Sequence, residues 1–209
     1  RRATGRRSSY GPIVDRMPMF PLGLALLPGA VLPLHIFEPR YRRMVADLLS
    51  ADDDMRFGVV LIERGRESGG GETRSDVGTV ARVLDVRVLE DGRFTMLTVG
   101  SDRFVVDTWL PDDPYPEAMV TALDDDETGP PSDAPELIER AVDLARRAGH
   151  SVEAPERIDV CPTFAAAAIA PIAEVDRQRL LRLTSESQRR AAVEEALDDL
   201  EAILRFSGD

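Results

Sequence analysis

From residue 17 the chain opens on an apolar run broken by prolines and glycines, MPMFPLGLALLPGAVLPLHIF, and changes at Glu38-Pro39 to helical periodicity. Leu27-Pro28-Gly29 marks a turn, because proline fixes its own φ and glycine accepts conformations that other residues avoid. Val31 to Phe37 predicts a short buried strand. Pro39 suits a first helical turn, where a missing N–H costs nothing, and Tyr41, Met44, Val45, Leu48 and Leu49 then fall on one core-facing stripe. Asp52-Asp53-Asp54 breaks that helix, and Phe57 to Ile62 is a strand by its β-branched content. The charged, glycine-rich stretch from Glu63 to Asp76 has nothing to bury and predicts a flexible loop.

Val80 to Leu89 and Arg93 to Val99 flank Asp91-Gly92, a pair suited to a two-residue type I′ turn. With Glu90 opposite Arg93, Leu84, Val86, Val88, Leu97 and Val99 share a face that belongs in the core. The other face carries Asp85, Arg87 and Thr98 beside Leu89, Phe94 and Met96, an apolar tip that is either covered by another element, the favoured reading, or left open for a partner. A strand through Val105 and Val106 reaches Trp109, the run Pro111 to Pro116 turns the chain, and Ala118 to Leu123 makes a last strand.

Asp124 to Ser132, acidic and containing glycine and prolines, is the clearest boundary. Beyond it Asp133 and Glu136 resemble a capping pair for a helix striped by Leu137, Ile138, Ala141, Leu144, Ala145 and Ala148. Further helices are expected over Thr163 to Ala170, over Asp176 to Thr184, and after a Ser185/Gln188 capping box, with Val193, Leu197, Leu200 and Leu204 in register. The pattern predicts an α+β fold: a small curved, mostly antiparallel β-sheet or partly open barrel with one early helix, followed by a C-terminal helical bundle. The expected divisions are a disordered extension at 1–16, a β-rich part at 17–124, a linker at 125–132 and a helical part at 133–206.

Composition narrows the function. A formal net charge of -12 argues against nucleic acid, whose phosphates require a basic surface. No apolar stretch is long enough to span a bilayer, which points to a cytoplasmic protein. All 26 basic residues are arginine, and a guanidinium cannot act as a base or form a Schiff base. A Ser-Lys dyad and a phosphate-binding P-loop lysine are therefore excluded within these 209 residues. Cys161 is the one cysteine and reads as a small loop or core residue, His35 as a structural residue inside an apolar strand, and His150 as solvated. No residues converge in a pattern for catalysis, a metal or a cofactor, so the expectation is a protein that binds rather than catalyses.

Phe20-Pro21-Leu22, Pro28-Gly29, Leu32-Pro33-Leu34 and above all Ile36-Phe37-Glu38-Pro39-Arg40-Tyr41-Arg42 followed by Met44 resemble the opening of the N-terminal substrate-binding domain of Lon proteases. Gly78-Thr79-Val80 and Gly100 with Arg103 extend the similarity, and Ala170-Pro171-Ile172 through Gln178 to Leu180-Leu181 resembles its helical part more weakly. The resemblance, over about residues 17 to 206, implies a noncatalytic module without ATPase or protease parts. Such a module would recognise unfolded or exposed apolar polypeptide segments and serve as an adaptor for a protease or chaperone. The expected site is the outer face of the Asp91-Gly92 hairpin and the groove between sheet and helices beside it, with Leu89, Phe94, Met96, Trp109 and Tyr115 as candidate polypeptide-binding residues. A small-molecule sensor or a hydrolase using the same groove is the alternative from another class, and self-association through the last helix is a third.

Overall fold

In the computed structural model, which describes residues 14–51, 55–65, 72–126, 134–153 and 161–206, six strands form one mixed sheet that curls onto itself. The strands are β1 (Val14–Leu22), β2 (Val31–Ile36), β3 (Arg56–Arg64), β4 (Thr73–Val88), β5 (Phe94–Trp109) and β6 (Glu117–Ala122). Their order is β2-β5-β4-β3-β1-β6, and β6 pairs back onto β5. Five strands thus close a small barrel and β2 is left as an edge, where Pro33 is tolerated because an edge strand needs no ladder bond on its outer side. The long β5 serves two partners, β2 along Phe94 to Val99 and β6 along Phe104 to Trp109. Among the described strands only β1 and β3 run parallel.

Close approach fixes Gly78. A Cβ there would lie 2.3 Å from the Val59 carbonyl oxygen and 2.6 Å from the Phe104 ring, so backbone as well as side chain would have to move. Gly78→Ala is expected to destabilise the protein by about 1–3 kcal/mol, the usual cost of overpacking, read as a lower denaturant midpoint at unchanged slope.

The β4-β5 hairpin corrects the sequence register. Val88 pairs with Phe94, Val86 with Met96 and Asp85 with Leu97, one residue away from the predicted pairing. The loop holds three residues, not two: Leu89 N–H donates to the Arg93 carbonyl, Gly92 N–H donates to the Leu89 carbonyl, and only Gly92 has positive φ (75°). This is the three-residue hairpin in which glycine takes the left-handed position, so Asp91 is never asked for the φ a type I′ turn demands. Because strand side chains alternate, the slip turns β5 over. Phe94, Met96 and Thr98 are buried, while Leu97, expected in the core, is 40% exposed. A bulge between Val83 and Asp85 keeps Val86 inward and leaves Leu84 exposed.

Helix α1 (Pro39–Ser50) supplies the cover expected for Phe94 and Met96. Its Tyr41, Met44 and Val45 pack with Phe20, Phe57, Phe94 and Met96, while Leu49 at the end of the predicted stripe is exposed. The remaining helices are α2 (Pro135–Arg147), α3 (Pro162–Ile169), α4 (Glu174–Arg182) and α5 (Glu186–Phe206). They share a core with the barrel, where Ala25, Leu27 and Val77 meet Leu137, Phe164, Leu181, Val193 and Leu197.

Other expectations shift in detail. Strand β1 begins at Val14, before the boundary drawn at Met17, since residues 14–18 pair with β6. Glu63 and Arg64 belong to β3, and Thr73 to Asp76 to β4, so the expected loop is shorter at both ends. β2 alternates between exposed and buried positions, with Val31, Pro33 and His35 outward, because only one of its faces is covered. The N-cap of α2 is Ala134, which makes no side-chain cap bond. The aspartates 52–54, the glycines 69–71, residues 127–133 and the first 13 residues lie outside the described residues.

Candidate functional site

Two buried arginines lock the helices to the barrel. Arg189 of α5 is fully buried, and its guanidinium is held by the Asp125 and Glu186 carboxylates and the Leu183 carbonyl. Arg103 of β5 donates to the Leu181 and Leu183 carbonyls at 2.9 and 2.6 Å and pairs with the same Asp125. The Phe164 ring lies 4.8 Å from the Arg189 guanidinium carbon, and Cys161 at the start of α3 donates to Glu186 Oε2. Burial works to lower the Arg189 pKa, but its two carboxylates outweigh burial and raise it; at Arg103 burial wins and the shift is downward. Both stay cationic at neutral pH, since a guanidinium does not give up its proton there. These contacts join β5, α3, α4 and α5, which makes the cluster a structural clamp, with Glu186 Oε1 the one of its atoms that finds no donor among the described residues.

That clamp fixes α4 at a distance from the end of β3, and a groove of about 640 Å³ opens between them. Leu61 and Ile62 form one wall, Val175 and Leu183 the other, and Glu63, Glu174, Arg179 and Arg182 the rim. Val175 is 71% exposed, an apolar side chain on the solvent side of α4. Gln178 ties the groove to the barrel, its Nε2 donating to Ser75 Oγ at 2.7 Å and to the Val77 carbonyl at 3.0 Å. Its Oε1 is buried and finds no donor among the described residues. Arg182 pairs with Glu63 at 3.2 Å and with Asp76, and Glu174 accepts the Ala25 N–H at 2.7 Å.

The five sequence candidates do not converge on this groove. Phe94 and Met96 lie in the core beneath α1, Leu89 is half-buried at the hairpin turn, and Tyr115 packs against the same core with its hydroxyl donating to Asp47 at 3.2 Å. Trp109 sits half-buried at the far end of β5 under the Arg74 guanidinium, 4.5 Å from the ring centroid. Leu61, Ile62, Val175, Gln178 and Leu183, which line the groove, are not among those five candidates. One signal was available, since Val175 is apolar yet off the Leu180-Leu181 stripe of its helix.

The opening motif lines a second, smaller cleft of about 210 Å³ between the ends of β1 and β2, with Phe20, Leu22, Leu34, Phe37 and Tyr41 in its walls. Tyr41 is 3% exposed, and burial pushes its phenol up to about 12. The folded pKa is raised, so the stabilisation is complete below the unfolded value near 10 and is lost as pH rises toward 12, because the unfolded chain releases its proton first. Alkaline denaturation should show a loss of about 2–3 kcal/mol over that window, and Tyr41→Phe should flatten it. Among the described residues no group of three His, Cys, Asp or Glu could hold a metal ion, and no helix is long and apolar enough to cross a membrane.

Comparison with known proteins gives one answer throughout. The family pattern described as the ATP-dependent protease La (LON) substrate-binding domain matches residues 16–199. The Lon protease of Cytophaga hutchinsonii is 32% identical over 111 residues, which are 52% of this chain and 13% of that protein. Lon protease 2 of Myxococcus xanthus is 30% identical over a stretch of the same length. The chain thus matches about an eighth of the length of these curated relatives. The crystal structure of a Lon N-terminal domain protein from Xanthomonas campestris superposes with a TM-score of 0.62 at 27% identity, over 87% of this chain and 98% of that one. The N-terminal domain of a Lon protease from the Mycobacterium avium complex shares the fold, with a TM-score of 0.52 at 15% identity over 88% of this chain and 99% of that one. With the matched pattern spanning most of the barrel and helices, the chain belongs to the family of Lon substrate-binding domains.

Proposed function

We propose that this protein binds unfolded or exposed apolar polypeptide segments without catalysing a reaction on them, and presents them as an adaptor to a protease or chaperone. The observation that carries the reading is the groove between β3 and α4, whose apolar walls lie open between sheet and helices. A volume of about 640 Å³ is that of a functional pocket, commonly about 300–1,000 Å³. Family membership supports the substrate class, since the matched pattern is the substrate-binding part of Lon and not its catalytic part. Binding in such a groove needs no ATP: burial of apolar side chains supplies affinity, and the rim charges orient the chain.

The test is fluorescence anisotropy with a labelled, permanently denatured protein. Wild type is expected to bind it, and Val175→Asp to weaken binding by about tenfold or more, equivalent to about 1.4 kcal/mol for an unpaired charge placed against apolar contacts. The substitution is at an exposed position, so the melting temperature should hold. Equal binding by the variant would remove the groove from the account. The same volume also suits a small metabolite, the competing reading; a thermal-shift screen in which a metabolite raises the melting temperature while denatured protein does not bind would favour it.

A further inference from the structure

We infer that the cleft between the ends of β1 and β2 is a second subsite for the same polypeptide, taking one aromatic side chain of a segment that runs on from the groove between β3 and α4. This rests on the polypeptide-binding reading above and adds the requirement that the segment carry an aromatic anchor.

The two cavities adjoin. Leu22 lines the cleft, and Leu61, its partner across the β1-β3 ladder, lines the groove. Paired residues on neighbouring strands lie about 5 Å apart and turn their side chains to the same face. Gly23, the residue after Leu22, lines the groove, is exposed, and has no side chain to stand between the two. A chain leaving the groove over Gly23 thus arrives at the cleft.

The cleft suits a side chain and not a backbone. Pro21 and Pro33 both line it, and neither has an N–H. The Met19 N–H points away from β3, donating to the Pro116 carbonyl at 2.8 Å, and the backbone nitrogen of Pro21, two residues on, aims the same way. Pro33 lies in the edge strand β2, so at both positions an added strand finds no ladder donor. A volume of about 210 Å³ is below the range of about 300–1,000 Å³ usual for a small-molecule pocket, and it fits one large side chain.

The walls select an aromatic one. Phe20 and Tyr41 are buried and form the floor, whereas the Phe37 ring is 58% exposed and stands at the mouth. His35 lies 6.4 Å from Phe37, centroid to centroid, at an interplanar angle of 41°. An incoming ring in edge-to-face contact with Phe37 covers it and gains more than the area removed from water alone would give. Glu38 at the cleft is paired with Arg40 at 3.1 Å, so no cationic side chain is called for.

The experiment titrates the full chain, by fluorescence anisotropy, with a capped peptide of alternating valine and serine carrying phenylalanine at each end, and with a twin carrying alanine there. The phenylalanine peptide should bind at least about tenfold more tightly, as expected for burying one such side chain. Phe37→Ala changes an exposed position and should leave the melting temperature unchanged. In that variant the advantage should shrink to about threefold or less, while Val175→Asp should weaken both peptides and preserve it. An advantage that survives Phe37→Ala undiminished, or twins that bind alike to wild type, overturns the cleft subsite; with denatured protein still bound, the proposed function stands. If neither the peptides nor denatured protein binds, both fall.

Discussion

Replacing Arg189 with alanine should cost about 3–5 kcal/mol of stability, the range for removing one partner of a buried ion pair. The wild-type side chain is fully buried and satisfies Asp125, Glu186 and the Leu183 carbonyl at once. Without it, Asp125 keeps only Arg103 among the described residues, and Glu186 is left beside a thiol and a hydroxyl from Cys161 and Thr163. Asp125 is 35% exposed, so water relieves part of the loss and the lower end of the range is favoured. The melting temperature should fall by roughly 6–20 °C at about 2–4 °C per kcal/mol for a chain of this size. Arg189→Lys should recover part of this, because it keeps the charge but not the planar fork that reaches two carboxylates together. A fall below about 1 kcal/mol for Arg189→Ala, by denaturant titration, would mean that the clamp does not hold the helices to the barrel.

Phe94→Ala should also destabilise strongly, by about 3–5 kcal/mol, while Leu97→Ser should change stability by under about 0.5 kcal/mol. The contrast tests the hairpin register directly. In the predicted pairing Leu97 faces the core and Phe94 the outer face; in the structure Phe94 is 8% exposed beneath α1 and Leu97 is 40% exposed. The folded Phe94→Ala protein should retain its affinity for denatured protein within about twofold, since ordinary changes away from a binding site leave affinity near its starting value. The opposite ordering of the two stabilities would restore the two-residue turn.

These residues also show how far the sequence could be read. The helix after Pro39 is written in the spacing of Tyr41, Met44 and Val45, and all three are buried. The long β4-β5 hairpin was legible from its alternation, but its register depended on whether Asp91 or only Gly92 takes positive φ. A single residue of loop length therefore decided which face of β5 is buried. The sequence points to a place between sheet and helices, but the residues that line the groove between β3 and α4 are not among its candidates. Ile62 and Val175 are far apart in sequence, and each looks ordinary until β1 ends short of β3 and the Arg103-Arg189 clamp brings α4 alongside. Arg189 was hidden for a similar reason, because an arginine on a helix reads as surface until its partners from distant segments are known.

The most direct measurement is chemical-shift mapping on the isotopically labelled full chain during titration with a denatured, unlabelled protein. Shifts concentrated at Leu61 to Glu63, Val175, Gln178 and Leu183 are the predicted result. Saturable binding with these resonances unmoved, and shifts instead at Val31, Leu84 and Leu97 on the outer hairpin face, would contradict the placement of the site in the groove between β3 and α4.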